Sequence, residues 1–150
     1  MVKINKRLTG SAYERRASEY LENQGLQILD NNFRCRIGEI DIIAKENTVE
    51  NGKTVPTIVF VEVKYRKTTK NGHPAEAVSI NKQKKICQVA NYYITYKQKE
   101  CYQNINYRFD VVSILADEIT WYKNAFSYIY WFLSKSIWKI KRTRRFFLFL

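Results

Sequence analysis

The stretch "IVFVEVKYR" (residues 58–66) decides how this chain folds. From Ile58 to Val61 it is continuously apolar and rich in β-branched and aromatic residues. That is the composition of a strand covered on both faces, and hence of one in the middle of a sheet. It then ends in Glu62-Val63-Lys64. Side chains alternate along a strand, so Glu62 and Lys64 leave by one face while Val61 and Val63 occupy the other. A carboxylate and an ammonium closing the most apolar strand of the chain need a chemical reason.

Upstream, "LQILDNNFRCR" (26–36) and "GEIDIIAKE" (38–46) read as two consecutive strands turning at Gly38, an antiparallel hairpin. "NTVENGKTVP" (47–56) is polar, contains Asn51-Gly52 and reads as a surface turn. Before them, "GSAYERRASEYLENQG" (10–25) has helical spacing, with Ser11 as N-cap and Gly25 as the stop. Glu14 lies on or beside the inward face of that helix, an unusual place for a glutamate. Downstream, Ile86, Val89, Ala90, Tyr93 and Ile94 form the apolar stripe of a second helix over 80–98. Lys82, Lys84 and Lys85 in its first turns oppose the helix dipole, which suggests an anion outside the helix. "NYRFDVVSIL" (106–115) and "EITWYK" (118–123) supply two more strands. The expected order is α-β-β-β-α-β-β, a mixed α/β sheet flanked by helices.

The carboxylates give the strand ending its meaning. In "GEIDIIA", Glu39 and Asp41 share one face with Ile40 and Ile42 opposite. Pairing of this strand with 58–66 brings Asp41 and Glu62 to one edge of the sheet. Two carboxylates so close repel unless a cation sits between them. Mg²⁺ takes oxygen ligands, keeps several waters and binds one or two carboxylates beside a substrate phosphate. Lys64 next to it would orient the attacking water or stabilise charge on the phosphoryl oxygens. Metal-activated water needs no histidine base, which suits a chain whose one histidine is His73. An E-x-K alone most often marks a solvated face or an ion pair, so the weight rests on its combination with Glu14 and Asp41.

Arg34, Arg36 and Arg66 flank this site, and Lys82 and Lys85 lie one turn apart; all five suit phosphate contacts, though each alone equally fits a solvated surface. Arg108 and Asp110 share a strand face and read as an ion pair. The three cysteines, Cys35, Cys87 and Cys101, form no CxxC pair and fit reduced thiols in a cytoplasmic protein. With 26 Lys+Arg against 14 Asp+Glu, the net charge of +12 calls for an anionic partner, nucleic acid or an acidic membrane. No stretch is apolar for long enough to span a bilayer.

The stretches Gly10 with Glu14 and Ala17, "NNFRCRIGEID" (31–41), "FVEVKYR" (60–66), "GHPAEAV" (72–78), Lys82 with Lys85-Ile86, "RFDVVSI" (108–114) and "ITWYKNAF" (119–126) carry a resemblance. In that order they resemble the YraN-like family of endonuclease-related proteins. This family is a branch of the PD-(D/E)xK nuclease superfamily, which also includes archaeal Holliday-junction resolvases. The resemblance implies a restriction-endonuclease-like domain over 1–126 that hydrolyses DNA phosphodiesters with Mg²⁺ or Mn²⁺. It casts Asp41 and Glu62 as metal ligands, Lys64 as the catalytic lysine and Glu14 as the helical acid. Tyr13 departs from it, standing where the family commonly has Gly.

Residues 127–150 lie past the usual end of that family. Seven of the basic residues fall in 119–150, which holds no acid. Phe126, Tyr130, Leu133, Ile137 and Ile140 recur at helical spacing, as in an amphipathic helix on an anionic membrane or a phosphate-binding arm; an unstructured extension is the plain alternative. Two further functions stay open at this level: a nucleic-acid-binding module without turnover, and a membrane-peripheral accessory protein acting through the tail. A homodimer is also compatible with the sequence.

Overall fold

The computed structural model describes residues 6–67, 78–97 and 105–129. The elements run α1 (Lys6–Asn23), β1 (Gln27–Cys35), β2 (Gly38–Glu50), β3 (Lys53–Arg66), α2 (Ile80–Tyr96), β4 (Asn106–Leu115) and β5 (Glu118–Tyr122), the expected α-β-β-β-α-β-β order. They form one five-stranded sheet of order β1-β2-β3-β4-β5, with the apolar β3 at its centre. Only β3 and β4 are parallel. A parallel pair cannot be closed by a tight turn, and α2 lies in the connection between them.

The two helices cover opposite faces. Ala17 and Leu21 of α1 pack on Ile42, Ala44, Val59, Val61, Val112 and Ile114. On the other face Ile86, Val89, Ala90, Tyr93 and Ile94 of α2 pack on Ile43, Ile58, Phe60, Phe109 and Val111. The run Ile58–Val61 therefore supplies both cores by simple alternation. Cys87 is buried in the α2 core.

Three boundaries differ from expectation. Helix α1 begins at Lys6, so Ser11 lies within it and caps nothing. The stop at Gly25 does hold, as a Schellman motif: Leu26 N donates to Leu21 O at 3.1 Å, and Gly25 N to Glu22 O at 2.9 Å, with Gly25 at φ 90°. Gly25→Ala places a Cβ in that left-handed conformation and should cost about 1 kcal/mol, read as a lowered urea midpoint at unchanged m.

The polar stretch 47–56 turns at Asn51-Gly52, as expected, but the residues on either side are paired strand. β2 and β3 remain paired through Thr48↔Val55 and Glu50↔Lys53, leaving a two-residue turn at Asn51-Gly52. Both turn residues have positive φ, 51° and 74°, as a type I′ turn requires. Polarity misled because this arm projects past β4, whose first pair is Thr57↔Asn106, so it needs no apolar face. Pro56 is tolerated for the same reason, having a strand neighbour on one side only.

Residues 127–129 continue along the core: Tyr128 and Ile129 pack against it, and Ile129 N approaches Cys87 Sγ at 3.4 Å. His73, Cys101 and residues 130–150, including the expected amphipathic tail, lie outside the described residues. Among the described residues no helix is long and apolar enough to cross a membrane.

Candidate active site

The site lies where β2 and β3 part. Their pairing ends at Ile42↔Val61, whereas β3 continues against β4 as far as Arg66↔Leu115. Beyond Val61 the β2-facing edge of β3 has lost its strand neighbour. Asp41 replaces it: its Oδ2 accepts from Val63 N at 2.7 Å. A side-chain carboxylate thus stands in for a ladder carbonyl, satisfying a backbone donor that would otherwise be orphaned.

This divergence changes the face assignment around Asp41. Strict alternation sets Ile40 and Ile42 on one face, yet Ile40 joins the α2 core and Ile42 the α1 core. The pleat slips at Asp41, as expected where a strand peels from its neighbour.

Glu62 shares the α2 face with Ile58 and Phe60 and is 3% exposed. Lys64 Nζ donates to its Oε1 at 2.8 Å, so the two groups lie on one side of β3 as read from the alternation. A second ammonium, Lys82 Nζ from the first turn of α2, stands 3.1 Å from Oε2. That oxygen is buried and has no well-angled hydrogen bond among the described residues; the Lys82 ammonium pairs with it by charge and close approach, which raises the lysine's pKa. The lysines at the start of α2 were read as facing an external anion, and for Lys82 the anion is Glu62 of the same chain. Sequence spacing held no signal for this contact, because the crossover sets the position of α2.

Charge crowding is expressed at Asp41. Burial first, then the Glu62 carboxylate, pushes its pKa up from 3.8 to about 7, with Glu14 adding to the rise; the Val63 N–H and Lys82 act the other way. For Lys82, burial pulls the pKa down, but Glu62, Asp41 and Glu39 outweigh it and the net shift is upward.

Glu14 comes near this group from α1, on the other side of the sheet, and acts on Asp41 through its charge. Among the described residues no three acids, histidines or cysteines cluster as a metal-holding set. The pair Asp41 and Glu62 is a donor set that fits Mg²⁺ or Mn²⁺: hard oxygens, one buried with only Lys82 against it among the described residues and the other carrying an elevated pKa that a cation would relieve.

The basic residues divide. Arg34, Lys82 and Lys85 line an open cleft of about 460 Å³, together with Cys35, Gly38 and Glu39. Within it Arg34 pairs with Glu39 at 3.1 Å, both largely exposed. Arg36, exposed in the β1–β2 turn, and Arg66, at the end of β3, lie outside the cleft lining. On the α1 side Tyr13 stacks on Tyr65 with ring centroids 3.4 Å apart, so the neighbours of Glu14 and Lys64 touch.

The Arg108–Asp110 pair is present but larger than the spacing suggested. Asp110 also accepts from Trp121 Nε1 at 2.9 Å and Asn124 N at 2.8 Å. Arg108 reaches on to Glu46, which Lys123 pairs at 3.0 Å. Glu46 is 62 positions from Arg108, and Trp121 lies on the neighbouring strand β5; sheet register brings both to the pair. This network has the strand parity of Val112 and Ile114, the α1 face, opposite to Glu62 and Lys64.

Residues 13–114 match the family described as "Uncharacterised protein family UPF0102". A UPF0102 protein of Lachnoclostridium phytofermentans is 45% identical over 123 residues, covering 82% of this chain and 96% of the relative. One from Caldicellulosiruptor saccharolyticus is 43% identical, covering 82% and 100% respectively. A third, from Fusobacterium nucleatum, is 44% identical, covering 81% and 92%. The chain belongs to the UPF0102 family, the YraN-like endonuclease-related group.

Proposed function

We propose that this protein is a divalent-metal-dependent hydrolase of DNA phosphodiesters, with structured or branched DNA as its favoured substrate. The observation that carries this reading is the meeting of Asp41, Glu62 and Lys64 where β2 and β3 diverge, beside a cleft lined by Arg34, Lys82 and Lys85. Each residue has a distinct task. Asp41 and Glu62 would hold the cation, Asp41 with its carboxylate fixed by the Val63 N–H and Glu62 by Lys64. The bound Mg²⁺ would polarise the phosphate and acidify a water, so the chain need supply no separate strong base. Lys64, 2.8 Å from Glu62 and 27% exposed, is held beside the ligands with part of its side chain open to solvent. There it orients the nucleophile and offsets negative charge growing on the phosphoryl oxygens. Arg34, Lys82 and Lys85 grip the backbone, and Arg36 and Arg66 extend that contact. Contacts of this kind bind without reading sequence and weaken steeply with salt.

The test is cleavage of branched and linear DNA of equal length, with and without Mg²⁺ or Mn²⁺. Lys64→Ala should lower metal-dependent cleavage by ~10²-fold, the scale of losing one positioned electrostatic stabiliser, while salt-sensitive DNA binding persists. Cleavage that survives this substitution unchanged removes Lys64 from the reaction. DNA binding with no turnover under any metal favours the non-catalytic module instead.

A further inference from the structure

Glu62 is a buried carboxylate with two ammonium groups and unequal bonds to them. Lys64 is hydrogen-bonded to Oε1, whereas Lys82 stands 3.1 Å from Oε2, an oxygen that has no other partner among the described residues. A carboxylate 3% exposed cannot turn to water for compensation, so in the metal-free protein Lys82 is what balances Oε2. We infer that Lys82 is a placeholder for the divalent cation: it neutralises Glu62 Oε2 while the site is empty of metal and must surrender that oxygen when the cation arrives. The inference rests on the reading of Asp41 and Glu62 as cation ligands.

Three observations single out Lys82. Among the described residues the oxygen it guards has no partner but Lys82, so withdrawal of that ammonium frees it to ligate. Lys82 itself is 31% exposed, so its ammonium has solvent to withdraw into, unlike Glu62. It also belongs to a different element from the carboxylates. Lys64 shares β3 with Glu62, but Lys82 comes from the first turn of α2, where Ser79 Oγ accepts from Lys82 N at 3.4 Å. Small movements of that turn therefore change its distance to Glu62 without disturbing the β3 register. Lys82 also lines the basic cleft, so an ammonium displaced from Glu62 remains where a phosphate would lie. Cation entry and phosphate capture are then linked through one side chain: an anion drawing Lys82 outward frees the ligand oxygen, and a cation on the oxygen frees Lys82 for the anion.

The test uses Mn²⁺ titrated calorimetrically into the full chain without DNA. Lys82→Gln keeps the stem and removes the charge, and should tighten Mn²⁺ binding ~10-fold by removing a competing ammonium at contact distance. Lys85→Gln removes an equal charge from the same cleft but not from Glu62, and should change the affinity less than ~3-fold, as a screened surface charge does. Lys82→Arg keeps the charge and should stay close to wild type. A thermal melt supplies a second reading: without metal Lys82→Gln melts lower than wild type, and saturating Mn²⁺ narrows the gap. Equal effects of Lys82→Gln and Lys85→Gln, or weaker Mn²⁺ binding by Lys82→Gln, overturn the placeholder role. If wild type shows no saturable binding, or Asp41→Asn titrates like wild type, the ligand assignment itself has failed, a result distinct from the first.

Discussion

Replacing Asp41 by Asn is expected to cut metal-dependent DNA cleavage by ~10³-fold or more while making the metal-free protein more stable. The two effects have one cause. Asp41 is partly buried within electrostatic reach of Glu62, and burial first and then that charge raise its carboxyl from 3.8 to about 7. The native state keeps a proton there that the unfolded chain releases. The stability this proton contributes is complete below about pH 4 and is lost as pH rises through about 7. At pH 8 the metal-free wild type therefore carries an unfavourable charge that Asn lacks, while the Asn Oδ1 still accepts from Val63 N. The gain should be on the order of 2 kcal/mol at pH 8, or roughly 4–8 °C in Tm, shrinking to nothing near pH 4. Added Mg²⁺ should raise the wild-type Tm and leave that of Asp41→Asn where it was. A lower Tm for Asp41→Asn at pH 8 would mean that the carboxylate is structural. Cleavage at wild-type rate would remove Asp41 from the site.

The second large effect lies away from the chemistry. Asp110→Ala should destabilise the fold by ~3–5 kcal/mol, lowering Tm by ~10 °C or more, with the cleavage rate per folded molecule preserved. Asp110 is 0% exposed and accepts from Arg108 Nε and a guanidinium amine at 2.9 Å, from Trp121 and from the Asn124 backbone. Alanine leaves all of these donors without their acceptor. It also leaves Arg108, itself mostly buried, with only Glu46 as an anion. Asp110→Asn should be little milder, since its amide group turns two donors toward a guanidinium that offers only donors. Replacing the pair together, Arg108→Met with Asp110→Leu, should recover much of the loss, because no charge is then left buried alone. Acid adds a check of opposite sign to Asp41. At Glu46 burial acts to raise the pKa, but Lys123 and Arg108 overcome it and the carboxyl titrates low. Its contribution is present above the ordinary carboxylate range and lost as pH falls through the lowered value. A urea midpoint for Asp110→Ala within error of wild type would show that the network adds nothing to the fold.

Several features of this protein are written in local order. Four consecutive apolar residues from Ile58 to Val61 specify a central strand, because only a strand covered by a helix on each face can bury every side chain in turn. The helical stripe from Ile86 to Ile94, the stop at Gly25 and the common face of Glu62 and Lys64 follow from periods of 3.6 and 2, which need no tertiary knowledge. Other features depended on what lies next to a residue in space. The arm 47–56 looks like a loop because its side chains are polar, yet its backbone is paired, and polarity reports exposure and not hydrogen bonding. The slip at Asp41 arises because β2 leaves β3 there, so a carboxylate takes over a backbone bond. The approach of Lys82 to Glu62, and of Glu46 and Trp121 to the Arg108–Asp110 pair, is set by the crossover of α2 and by strand register. Residues 11 to 62 positions apart on different elements have no shared period to betray their contact. The sequence by itself determined which residues carry charge into the sheet; the fold decided which of those charges meet, and among the described residues left one oxygen of Glu62 to Lys82 alone.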